Sequence, residues 1–230
     1  MKFRKLDKPW RLVAISDSGF KGEDQDHLAI RSGLICLVDR DFPQLRRNGL
    51  QIIEYVSKKQ TRVCRSTYAA ELYSALDLAG LLFNISLTLT EVLEGPSTAC
   101  ALADKFEVGK LALEADLVID AASVFDHTAT TEPRAPHDAT MTIHSLKLRE
   151  LLETGKLTRL IWCDTRSMLA DSLNKGTIDR AALQLAISDA CWNIDQAVRT
   201  HQVPMQMPEQ SSRNEQPESK GASPMKVPTT

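Results

Sequence analysis

The stretch LVAISDSGFKG, residues 12–22, runs an apolar segment straight into a carboxylate. Leu12-Val13-Ala14-Ile15 reads as a buried β-strand. Asp17 follows with no basic residue beside it, and a charge at the end of a buried strand is costly unless something pairs with it. Ser16-Asp17-Ser18-Gly19 is also good turn chemistry, because Asp stabilises turns through its own backbone. Asp17 is therefore either a turn former or a ligand for a cation, and the rest of the chain has to separate the two.

Composition sets the outer bounds. The 230 residues allow one medium domain with appendages, and 43% hydrophobic with 25% charged residues is ordinary for a soluble globular chain. No apolar run approaches the roughly 18 residues that span a bilayer, so no membrane partner is expected. The basic start MKFRKLDKPW lacks an apolar signal core. Five separated cysteines without a CxxC suggest neither a disulfide framework nor a zinc site, which points to a reducing, intracellular setting, cytoplasmic or nuclear. The net charge of −2 is unevenly placed: residues 1–65 hold 14 Lys and Arg against 8 Asp and Glu, whereas residues 66–175 hold 9 against 16. That is the balance of a polyanion-facing surface beside an acidic metal site, or of two unremarkable solvated faces.

Outward from the first strand, Leu34 to Val38 and Leu50 to Val56 read as two more strands, with Asn48-Gly49 as a hairpin signal between them. Ser66 or Thr67 can cap a helix with Leu72, Leu76, Ala79 and Phe83 at helical spacing. A second helix is expected over 98–114, a short strand over 116–120, and a Thr-, Pro- and His-containing loop over 125–139. A helix over about 140–154 stops at Gly155, Leu157 to Trp162 is a further strand, and Ser167 can cap a short helix ending near Gly176. The fold class expected is α/β: three antiparallel strands, then two more alternating with helices in a mixed sheet. Residues 1–176 make the domain, 177–203 a C-terminal helix packed on it through Ile178, Ala182, Leu185 and Trp192, and 204–230 a disordered tail.

Four carboxylates stand at element ends. Asp17 ends the first strand, Asp120 ends the Leu117-Val118-Ile119 strand, and Asp171 follows Met168-Leu169-Ala170. Glu71 heads an otherwise apolar helical stripe of Ala75, Leu78 and Leu82. Singly, each has a bland reading as turn former, strand terminator or helix-dipole partner. Together, four acids without paired bases repel one another, and such a site needs cations. Oxygen-only ligands suit Mg²⁺ or Mn²⁺, and two such ions serve phosphodiester hydrolysis.

The blocks Ser16-Asp17, Arg31-Ser32-Gly33, Ser57-Lys58-Lys59-Gln60, Ser66 to Glu71, Glu150 to Lys156 and Leu169 to Lys175 stand in an order that resembles the ribonuclease H domain of copia-type retrotransposon polyproteins, over about residues 11–176. The resemblance implies a ribonuclease H fold with a five-stranded mixed sheet. By position it implies that Asp17, Glu71, Asp120 and Asp171 are the catalytic, metal-binding set, with Asp126 close enough to Asp120 to be confused with it. It further implies an RNA–DNA hybrid as substrate and a reverse transcriptase domain, absent from this chain, as a partner. Departures from the family pattern are Phe20 for a Trp, Ala121 and Ala122 after Asp120, and a His-rich segment reduced to His137 and His144. Lys58, Lys59, Arg62 and Arg65 before the Glu71 helix either contact nucleic-acid phosphates or form a solvated basic loop. The expected activity is metal-dependent cleavage of the RNA strand of a hybrid, and the alternative is a nucleic-acid-binding module of the same fold without catalysis.

Overall fold

A computed structural model of the chain describes residues 2–20, 28–44, 46–130, 138–174 and 180–204. The opening stretch forms β1 (Arg11–Gly19), which runs antiparallel to β2 (Leu28–Val38), itself antiparallel to the long β3 (Arg46–Val63). Two helices follow, α1 (Thr67–Glu94) and α2 (Ala99–Glu107), and then β4 (Glu114–Ile119), which pairs parallel to β1. After α3 (Ala122–Ala129) and α4 (Thr142–Glu153) the chain forms β5 (Arg159–Cys163), parallel to β4. The one-turn α5 (Asp171–Asn174) precedes α6 (Ala181–Asp189), β6 (Cys191–Ile194) and β7 (Val198–His201).

The five-stranded mixed core is present, but the sheet has seven strands, ordered β6-β3-β2-β1-β4-β5-β7. The C-terminal helix expected over 177–203 accounts for the difference. It runs only from Ala181 to Asp189, and Ala190 then adopts a left-handed conformation (φ 51°) that ends it. Trp192, expected on that helix, lies on β6, stacks on Phe42 at 5.5 Å between ring centroids and donates its indole N–H to the Ser167 carbonyl. β6 thereby closes one edge of the sheet against β3, while β7 pairs with β5 at the other. Ile178 and, apart from Pro204, the expected tail over 204–230 lie outside the described residues.

Three smaller expectations also change. Asn48-Gly49 is not the β2–β3 turn but part of β3, since the Asn48 side chain is buried between the Gln44 backbone and the Trp192 carbonyl. The Gly49 N–H donates to Asp39, and a Cβ at Gly49 would stand 2.1 Å from the same carboxylate. The helix expected over 98–114 ends at Glu107, with Gly109 at φ 63° turning the chain into β4. Residues 125–129, expected as the start of a loop, belong to α3, because Val124, Phe125 and Thr128 share a buried face. His137 lies outside the described residues.

The unbroken apolar run of β1 now has its reason. Alternate side chains enter two cores, Leu12 and Ala14 on one face of the sheet, Val13 and Ile15 on the other. The first core is covered by α1, whose N-cap Ser66 accepts from the Ala69 N–H, and by Leu148, Leu151 and Leu152 of α4. Leu72, Leu78 and Leu82 are buried there, each worth about 2 kcal/mol by area. By length and composition α1 is also apolar enough to cross a membrane, at a mean hydropathy of 1.5 over 18 residues, which the sequence reading had not expected. A core helix meets the same test, and α1 packs on β1, β2 and β4.

Candidate metal centre

Strand register brings the first two acids together. In the parallel β1–β4 pair Ser16 stands beside Ile119, so the next residues along, Asp17 and Asp120, are neighbours at the same end of the sheet. Asp171 arrives from the opposite layer as the first residue of α5, after the buried Met168, Leu169 and Ala170. The Ser32 hydroxyl, opposite Asp17 on β2, donates to the Ala170 carbonyl at 3.1 Å and so ties the start of α5 to the strand behind Asp17. One carboxylate oxygen from each of Asp17, Asp120 and Asp171 lies within 4.8 Å of the other two. Asp17 and Asp171 are buried and Asp120 is partly so.

The surroundings hold these groups in place. Ser74 of α1 donates its hydroxyl to the Asp17 carbonyl at 2.8 Å and lies 3.1 Å from the Ser16 hydroxyl. Asn174, one turn after Asp171 on α5, donates its amide to Asp17 Oδ2 at 2.6 Å. Thr165 donates to Asp120 Oδ2 at 2.9 Å, and the Trp162 indole donates to the Asp120 carbonyl at 2.7 Å. Beneath the cluster, burial pushes the Cys163 thiol well above its ordinary value, and Asp120, Asp164, Asp171 and Asp17 push it further the same way.

The remaining sequence candidates fall outside the three-aspartate cluster. Glu71 is half-buried on α1, one turn before Ser74, and is not a member. Asp126 is also outside, exposed on α3 and paired with Arg199, so the acid that joins Asp17 is Asp120. Lys58, Lys59 and Arg62 lie exposed on the second half of β3, and Arg65 lies exposed just before the α1 cap. The Arg62 guanidinium sits over the Tyr73 ring at 5.0 Å, and Ser57 donates to the Leu173 carbonyl, which joins this part of β3 to α5.

At an effective dielectric of about 20, two charges 4.8 Å apart repel by about 3–4 kcal/mol, a repulsion that a cation bound among the three carboxylates would relieve. The donor set fits a hard divalent ion, since every donor is an oxygen. Beside Asp17, the buried Oδ1 of Asn174 has no hydrogen-bond partner among the described residues, a further oxygen of the same chemistry. Asn174, Ser74, Thr165 and Trp162 escaped the sequence reading. Only Asn174 left a signal there, since its spacing of three from Asp171 puts both on one helical face.

No protein-family model matches the chain, and no curated protein matches it. Among solved structures, the mixed α/β fold resembles LC11-RNase H1, isolated from compost by a metagenomic approach, at a TM-score of 0.44 and 12% identity. The match covers 74% of this chain and 97% of that one. A likeness this distant bears on neither activity nor substrate.

Proposed function

We propose that this chain is a metal-dependent ribonuclease H-type nuclease that hydrolyses the RNA strand of RNA–DNA hybrids. In this reading it derives from a copia-type retrotransposon polyprotein, works within the cell and has a reverse transcriptase domain as a partner. The observation that carries the chemistry is the meeting of Asp17, Asp120 and Asp171, from three separate elements, within 4.8 Å. These residues would hold Mg²⁺ or Mn²⁺, with Glu71 as the fourth acid of the set. Divalent ions bound in such a site activate water and stabilise the leaving oxygen. Asn174 and Thr165 orient the carboxylates of Asp17 and Asp120. Lys58, Lys59, Arg62 and Arg65 supply phosphate contacts that add affinity without reading sequence.

A second reading, a binding module of the same fold without catalysis, is favoured by Ala121 and Ala122 after Asp120. A gel assay with an end-labelled hybrid separates the two. Cleavage of the RNA strand with Mg²⁺ or Mn²⁺, abolished by EDTA, is the expected result. Binding without cleavage under either metal would select the second reading.

A further inference from the structure

We infer that Arg199, on the strand that extends the sheet past β5, positions Asp120 for cation binding; this rests on the nuclease reading above and deepens it. Antiparallel pairing of β5 and β7 sets Arg199 opposite Trp162. The guanidinium lies 4.6 Å from the centroid of the Trp162 ring and 4.6 Å from that of Phe125 on α3, and it donates to Asp126 Oδ1 at 2.8 Å. Two ring faces and a carboxylate hold one planar cation, so Arg199 clamps β5, α3 and β7 together. Its charge is answered by Asp126 and the two rings, so its leverage on the site is mechanical, through Trp162.

Trp162 passes that constraint on. On β5 it stands beside Ile119 of β4, and its indole reaches one residue further to donate to the Asp120 carbonyl at 2.7 Å. Thr165, shortly after β5, holds the carboxylate end of the same residue at 2.9 Å. The backbone and side chain of Asp120 are thus both anchored from the β5 end, and the ring that anchors the backbone is fixed by Arg199. Without the guanidinium the indole keeps its packing against the core but loses the contact that fixes it from the β7 side, which loosens its hold on the Asp120 carbonyl. Groups behind a metal ligand commonly change metal affinity about 10- to 100-fold.

The test is calorimetric titration of the full chain with Mn²⁺, with no substrate present, alongside thermal unfolding of the metal-free protein. Arg199→Ala is expected to weaken Mn²⁺ binding about tenfold or more, and Arg199→Lys, which keeps a cation on the rings, to recover most of it. Trp162→Phe keeps an aromatic ring but removes the N–H, and is expected to weaken binding as Arg199→Ala does. A purely structural role would lower the unfolding midpoint and leave affinity unchanged in the folded protein. Unchanged affinity in Arg199→Ala overturns the inference while leaving the nuclease reading intact. Should Arg199→Ala fail to fold, Trp162→Phe decides, and wild-type affinity there overturns the inference equally. Wild-type protein that binds no Mn²⁺ would overturn both.

Discussion

Asp17 is 1% exposed and lies on the central strand, so its carboxylate is tolerable there only with partners. Replacing it by its amide keeps the shape and the contact with Asn174 while removing one charge from a repelling set. Asp17→Asn is expected to unfold at the same temperature as the wild type or slightly above it, as read by differential scanning calorimetry. Metal-dependent hybrid cleavage should fall roughly 10³-fold, since metal activation is worth several kcal/mol and each 1.36 kcal/mol is tenfold. A midpoint lowered by many degrees would instead make Asp17 a structural residue. The acids were legible in the sequence because each sits against an apolar run, where a charge stands out. Ser74, Thr165 and Trp162 were not, because each acts across the sheet on a residue far away in the chain, and no local spacing encodes such a contact.

Among the elements, β1, β4 and β5 are locked at the end of the sheet away from the cluster. Asp116, fully buried on β4, takes two hydrogen bonds from Arg11 of β1 and two from Arg159 of β5, and Arg11 also pairs with Glu114. Removing the carboxylate takes four hydrogen bonds from two little-exposed guanidinium groups, leaving Arg11 its pair with Glu114 and Arg159 its bond to the Phe42 carbonyl. Asp116→Ala should therefore cost about 3–5 kcal/mol in urea unfolding while leaving Mn²⁺ affinity in the folded protein unchanged. That would separate this acid, buried for stability, from the four proposed for chemistry. The first three strands and α1 were legible from apolar runs and a cap, and the tight packing behind Gly33 follows from them. A Cβ at Gly33 would lie 2.7 Å from both the Ile15 carbonyl and Leu78. β6 and β7 were hidden because they are four residues each and mix polar with apolar side chains, so Trp192 fitted a helical period as well as a strand.

For the whole molecule, the sheet order decides where chemistry can occur. β1, β4 and β5 run parallel, so the residues that follow them gather at one end, and α5 folds back to add a third acid there. The fold class could be read from the order of strands and helices. The width of the sheet could not, because both edge strands come from the C-terminal segment and pair over long sequence separations. The most direct measurement is anomalous diffraction from crystals of the full chain soaked in Mn²⁺. The expected result is an anomalous peak among Asp17, Asp120 and Asp171, lost in Asp17→Asn crystals treated the same way. Crystals saturated with Mn²⁺ that show no peak between these three carboxylates would contradict the proposal that they form a metal centre.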